Sequence, residues 1–163
     1  LATALERNRR VVHLQARLKQ ITVQLSAGSH LYVMADAAML DFVLRNLLSN
    51  AIKFSHKGGE VQVEANLLPQ QPMVQIRISD TGVGMQPETV QEILTTHVLT
   101  TRRGTHREKG TGLGLLISRE FVAKNSGNFS IFSEPGQGTT IVVEWPVANR
   151  PDNPTENEEE KVT

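Results

Sequence analysis

Two spacings of apolar residues alternate along the chain. Residues 4–18 set Leu5, Val11, Val12, Leu14 and Leu18 among Arg7, Arg9, Arg10 and Arg17, which predicts a short helix. Ile21-Thr-Val-Gln-Leu25 alternates and predicts a strand; the turn Ala27-Gly-Ser29 follows, and Leu31–Met34 predicts a second short strand. Asp36 suits the N-cap of a helix running to about Phe54, and His56-Lys-Gly-Gly59 stops it. Strands are predicted over 60–67 and 74–79, joined by the turn Leu68-Pro-Gln-Gln-Pro72. After Thr81-Gly-Val-Gly84, Pro87 is a good first residue for a helix over 88–94. Residues 95–111 carry no period and hold six threonines, two glycines and the bases Arg102, Arg103, Arg107 and Lys109. A loop of that length inside a compact domain is usually functional. A helix over 112–125 is expected to end at Gly127. Strands over 129–133 and 139–147 flank the hairpin Glu134-Pro-Gly-Gln-Gly138. Strands adjacent in pairs, with helices between the pairs, predict an α/β two-layer sandwich with one mixed β-sheet and the helices on one face.

The length of 163 residues, 39% hydrophobic and 21% charged, fits one globular domain with trimmings. Without cysteine, disulfides, thiolate metal sites and cysteine nucleophiles are excluded. No apolar run approaches the roughly 18 residues that a membrane span needs. The first residues do not read as a signal peptide, and they lack an initiator methionine. The chain is therefore expected to be a cytoplasmic fragment making no membrane contact. Residues 1–18 would be a connector helix from an absent upstream domain, 19–148 the functional domain, and 149–163 a disordered acidic tail. From Pro151 onward five acids face one base, which leaves 16 bases against 12 acids in residues 1–150. That mild excess does not call for nucleic acid, and it suits a single anionic ligand.

Candidate chemistry gathers at four places. With Asn46 at the origin and about 100° per residue, Asn50 falls near 40° and Lys53 near −20°, a polar stripe beside the apolar Leu40, Val43, Leu44, Leu47, Leu48 and Ala51. Asparagine is a middling helix former, so two of them one turn apart carry a cost. The stripe is either a solvated face or a place where the Asn50 amide oxygen ligates a hard cation such as magnesium while Lys53 faces phosphate. In Ser79-Asp-Thr-Gly-Val-Gly-Met85, Asp80 closes a strand. Its carboxylate suits an amino group like that of adenine, but taken alone an Asx turn explains it better. Gly110-Thr-Gly-Leu-Gly-Leu115 opens a helix and exposes backbone N–H groups to an anion. Its spacing fits neither the dinucleotide fingerprint nor the P-loop. Gly136-Gln-Gly138-Thr139 reads first as a glycine hairpin.

Together and in this order, the four pieces resemble the catalytic, ATP-binding domain of sensor histidine kinases, over roughly residues 17–147. Asn46-Leu-Leu-Ser-Asn50-Ala-Ile-Lys53-Phe resembles the family's N box, Asp80-Thr-Gly82-Val-Gly84-Met its G1 box, and Gly110-Thr111-Gly112-Leu113-Gly114-Leu its G2 box. Glu134-Pro-Gly136-Gln-Gly138-Thr139 is similar to the closing hairpin, and the run from Gly104 through Lys109 to the lid segment of hybrid kinases. The resemblance implies the Bergerat fold of the GHKL superfamily. It implies that Asp80, Gly82, Gly84 and Thr139 serve the adenine, and that Asn50 ligates Mg2+. It further implies that Asn46 and Lys53 serve the chemistry on the phosphate side, that Lys109, Gly110, Thr111, Gly112, Leu113 and Gly114 hold the phosphates, and that 95–111 is the ATP lid. One departure is visible: the lid's first half, Ile93–Leu99, lacks the family's phenylalanines.

In hydrolytic relatives a glutamate stands where this chain has Asn46, and an amide offers no useful basicity toward water. Phosphoryl transfer is thus favoured over hydrolysis. None of His13, His30, His56, His97 or His106 is followed by an acid, as the family's acceptor histidine is. The acceptor is expected on a separate dimerisation domain of the same protein, with a response regulator downstream. The other readings are a module that binds ATP for regulation without phosphotransfer, and a related GHKL serine kinase.

Overall fold

The structure, a computed structural model, describes residues 1–28, 30–95 and 113–149. The expected acidic tail, most of the expected lid, and Lys109, Gly110, Thr111 and Gly112 lie outside these residues.

Among the described residues, four helices and five strands follow in the order α1 (Ala2–Leu18), β1 (Thr22–Ala27), α2 (Ala37–Phe54), β2 (Glu60–Leu67), β3 (Met73–Asp80), α3 (Pro87–Thr95), α4 (Leu113–Lys124), β4 (Asn128–Glu134) and β5 (Gly138–Pro146). The strands form one sheet in the order β1-β2-β3-β5-β4. Only the β1–β2 pair is parallel, because α2 carries the chain back between them; the other pairs are antiparallel. The expected mixed-sheet sandwich is present.

Alternation along each strand decides which face is covered. Val61, Val63 and Ala65 of β2, Val74, Ile76 and Ile78 of β3, and Ile141, Val143 and Trp145 of β5 are buried. In register, Val63 stands beside Ile78 and Ile78 beside Ile141. Most of this layer joins Val43, Leu44, Leu47, Leu48, Ala51 and Ile52 of α2 in one core. Leu5, Val12 and Ala16 of α1 belong to the same core. The opposite face is largely polar and is laced by side-chain bonds such as Gln75 Nε2 to Glu144 Oε1 at 2.9 Å.

Helix ends follow capping chemistry, with one shift. Asp36 caps α2 as expected, its Oδ1 accepting from the Met39 N–H at 2.9 Å. At the end of α4 the left-handed residue is Ser126 (φ 57), not Gly127. The Ser126 and Gly127 N–H groups close on the Ala123 and Val122 carbonyls, which makes a Schellman ending with glycine one place later than expected. Gly127 is needed there for room, since a Cβ would lie 2.9 Å from the Trp145 ring and against the Glu144 carbonyl.

The second short strand expected at 31–34 does not form: it reduces to one antiparallel bridge, Val33 to Val147. The Met34 N–H reaches the Pro146 carbonyl at 2.8 Å, but proline has no N–H to return the bond, so the ladder stops.

Leu47 is 1% exposed at the centre of this core. Leu47→Ala is expected to cost about 2–5 kcal/mol. Urea unfolding checks this as a lower midpoint at unchanged slope.

Candidate functional site

Helix α2 supplies the first wall of the site. Asn46 and Asn50 sit one turn apart on it, both half-buried. Asn46 Nδ2 donates to the Ser118 hydroxyl at 2.9 Å, and Asn50 Nδ2 points at Asn46 Oδ1 at 3.4 Å. The three groups therefore run head to tail, and no described residue donates to Asn50 Oδ1. Ser118 is fully buried, so the Asn46 amide is anchored from the protein interior. Nothing local marks Ser118, since a serine inside a helical run carries no motif. Its one signal was a place one turn beyond Gly114.

The N-terminal turn of α4 lies directly on this pair. A Cβ on Gly114 would come within 3.0 Å of Asn46 Nδ2 and closer still to the rest of the amide. Glycine at 114 thus lets two helices meet at a polar contact. The leading N–H groups of α4 lack partners within the helix and present a partial positive charge. Leu113 and Gly114 hold this end of the expected phosphate loop; Gly112 is the residue just before them in the chain.

Asp80 forms the second wall. It ends β3 and pairs in register with Thr139 of β5. Its Oδ1 accepts from the Gly82 N–H at 2.9 Å and from the Thr139 N–H at 3.3 Å. Burial pushes its carboxyl up to about 6, against the pull of those two backbone donors. An Asx-type turn is therefore present, but half of the carboxylate is left over, since Oδ2 accepts from no described residue. Thr139 meets Asp80 through its backbone, while its hydroxyl pairs with Ser133 Oγ at 2.9 Å.

The two walls meet at the end of α2. The Phe54 carbonyl accepts from the Val83 N–H at 3.1 Å, and Ser55 bridges Gly82. A Cβ on Gly82 would run into that same carbonyl. On its other side the loop abuts the β4–β5 hairpin. Gly136 N–H donates to the Val83 carbonyl at 2.8 Å, and Gly84, at φ +64, leaves no room for a Cβ beside the Glu134 carbonyl. Asn50 and Phe54 are one turn apart, about 6 Å along the axis. The structure thus brings Asn46, Asn50, Gly114, Asp80, Gly82, Gly84 and Thr139 around one helix. Lys53, expected on the asparagine stripe, is 7% exposed, and its ammonium lies 5.1 Å from the Phe54 ring centroid.

Comparison with known proteins gives a consistent result. The family model described as histidine kinase-, DNA gyrase B-, and HSP90-like ATPase matches residues 35–149. The cell-division control histidine kinase PdhS of Brucella abortus (strain S19) is 34% identical over 141 residues, covering 81% of this chain and 14% of its own length. Full-length ShkA, solved in complex with AMPPNP, is 28% identical with a TM-score of 0.75, over 91% of this chain and 30% of that one. The catalytic domain of histidine kinase ThkA, 22% identical, shares the fold with a TM-score of 0.76, over 90% of this chain and 93% of that one. The chain thus spans a small part of the curated relative that it matches.

A carboxyl raised by burial stabilises the fold fully only below its unfolded value of 3.8, and that stabilisation is lost as pH rises through about 6. Asp80→Asn keeps an oxygen for the two backbone donors and removes the charge. Its stability relative to the unmodified protein is expected to grow between pH 4 and pH 7, by about 1–3 kcal/mol. Thermal melts across that range check the slope; parallel curves for the two proteins would contradict it.

Proposed function

Because the chain belongs to the family of histidine kinase-, DNA gyrase B- and HSP90-like ATPases, we propose that it is the ATP-binding catalytic module of a sensor histidine kinase, passing the γ-phosphate of ATP to a histidine on a separate dimerisation domain. The observation that carries this reading is the pairing of a half-satisfied, half-buried carboxylate with two head-to-tail amides across one turn of α2.

Asp80 Oδ2 is free to accept a hydrogen bond from the adenine amino group, while Gly82 and Thr139 hold its other oxygen. The discrimination is for a donor: a base offering an acceptor at that position would leave the half-buried carboxylate opposed and unpaired. At the other end, Asn50 Oδ1 is a neutral hard oxygen without a donor among the described residues, which fits a magnesium ligand. Magnesium, when bound, neutralises charge on the phosphate oxygens. Ser118 and Asn46 hold the Asn50 amide in register for that role. Lys53 adds positive charge in the last turn of α2. Leu113 and Gly114, with Lys109, Gly110, Thr111 and Gly112 before them in the chain, would cradle the phosphates through backbone N–H groups.

Asn46 cannot act as a general base toward water, so hydrolysis lacks proton abstraction at that position. The γ-phosphate is kept for a protein acceptor, and positioning with charge neutralisation carries the step. Relatives named histidine kinases, and ShkA with its bound AMPPNP, support the reading. The dimerisation and phosphoacceptor domain, a downstream response regulator and a cytoplasmic setting belong to the same proposal. No described helix is long and apolar enough to cross a membrane.

ATP with magnesium at a hundred times its dissociation constant is expected to stabilise the native state by about 2.7 kcal/mol, read as a higher melting temperature. In calorimetry, Asp80→Asn should weaken ADP at least tenfold more than inorganic triphosphate, with the loss of one charge-assisted bond. Equal losses would remove Asp80 from the base pocket.

Incubated with γ-labelled ATP, the chain alone is expected to stay unlabelled and a supplied cognate helical domain to take up acid-labile phosphate. Acid-stable label on that domain would point to a serine kinase instead, and binding without any transfer to a regulatory module.

A further inference from the structure

The carbonyls of the last turn of α2 need donors, and those after Ala51 must find them outside its regular bonding. Ser55 serves the Ala51 carbonyl through its N–H at 3.0 Å and its hydroxyl at 2.7 Å. Val83 serves Phe54 from the Asp80 loop. The two between, Ile52 and Lys53, accept from the ammonium of Lys19, the first at 3.0 Å. Lys19 is 5% exposed. A buried ammonium is costly unless its protons are taken, and the negative end of a helix is a suitable place to take them.

Lys19 is also held from its own side. It is the C-cap residue of α1, which closes in a Schellman ending: Gln20 is left-handed (φ 57), Gln20 N–H donates to the Arg17 carbonyl at 3.0 Å, and Ile21 N–H to Ala16 at 2.9 Å. The Lys19 carbonyl accepts from the Gly58 N–H at 3.1 Å, in the turn that follows α2. One residue thus ends α1 with its backbone and finishes α2 with its side chain. The next two residues after the carbonyls that it grips are Phe54, bonded to Val83, and the C-cap Ser55, bridged to Gly82.

We propose that Lys19 is a positioning residue for the base pocket: its ammonium holds the last turn of α2 so that the Phe54 carbonyl and the Ser55–Gly82 bridge keep the Asp80 loop at its place, and it couples the end of α1 to that loop. This rests on the nucleotide-binding reading above. The coupling is short. From α1 to the loop it passes through one ammonium and one helical turn, both inside the protein where water does not compete.

The test uses the 163-residue chain. Lys19→Met keeps the stem and removes the donors; Lys19→Arg keeps charge and donors; Val12→Ala in α1, 4% exposed, serves as a destabilised control distant in sequence from the loop. Calorimetry with ADP and magnesium, and with inorganic triphosphate, is paired with hydrogen exchange of the Val83 amide without ligand. Lys19→Met is expected to weaken ADP roughly tenfold, as one lost charged hydrogen bond would, to leave triphosphate near its original affinity and to speed Val83 exchange. Lys19→Arg should recover most of the ADP affinity, and Val12→Ala should lose melting temperature without the selective loss. Equal losses for ADP and triphosphate, a selective ADP loss in Val12→Ala as large as in Lys19→Met, or an unchanged Val83 amide would overturn the proposal. If Lys19→Met does not fold, Lys19→Gln carries the comparison, and failure of both to fold assigns Lys19 to stability alone. If the unmodified chain binds no nucleotide, the functional reading fails, while Val83 exchange still decides whether Lys19 holds the loop.

Discussion

The C-terminal turn of α2 has to find hydrogen-bond donors outside itself, and the site is arranged around how it does so. A helix that ends inside a fold leaves its last carbonyls unpaired, and an unpaired buried carbonyl costs as much as a lost hydrogen bond. Here the donors come from the α1 end, from Ser55 and from Val83. Satisfying the helix therefore brings the Asp80 loop to it. The apolar face of the same helix, from Val43 to Ile52, is set into the core against the sheet, so the loop is referenced to the buried core.

Asp80 shows what that placement does. Its carboxyl is raised to about 6 by burial even though two backbone N–H groups favour the charged form. In water such a group would be ionised well below that value and fully solvated. Here the fold carries an unfavourable charge near neutral pH that an amino donor can relieve. Strain of this electrostatic kind gathers at sites meant to bind something. At the other end the amides of Asn46 and Asn50 carry no charge, so they can face phosphate oxygens and a cation without a second desolvation cost. The site is thus polarised along α2: a carboxylate at the helix end, where the base pocket is proposed, and neutral oxygen with helix-end N–H groups one to two turns back.

Much of this was legible in the residues. Asp36 as an N-cap, the alternating strands and the amide stripe follow from local rules, because each depends on neighbours within one turn or one strand step. The four motifs in order pointed to one site, and Asn46, Asn50, Gly114, Asp80, Gly82, Gly84 and Thr139 lie around α2. The misses have physical causes of longer range. The pairing at Val33 stops because Pro146, more than a hundred residues away, has no N–H to give. Gly127 is set by the Trp145 ring and the Glu144 carbonyl, which lie far along the chain and leave no room for a Cβ there. Ser118 and Lys19 carry no motif, and their roles exist only once α4 or α1 is laid against α2.

The sequence by itself determined the periodicities, the caps, the glycines that permit close approach and the chemical character of each donor and acceptor, since these are properties of single residues and their near neighbours. Tertiary structure decided which of those groups face one another. It turned the Thr139 hydroxyl to Ser133 and its N–H to Asp80, left one oxygen of Asp80 and one of Asn50 without a protein partner among the described residues, and ran a lysine from the end of one helix to the end of another. Burial and the unmet hydrogen bonds of a buried helix end are collective quantities, and no local stretch of sequence contains them.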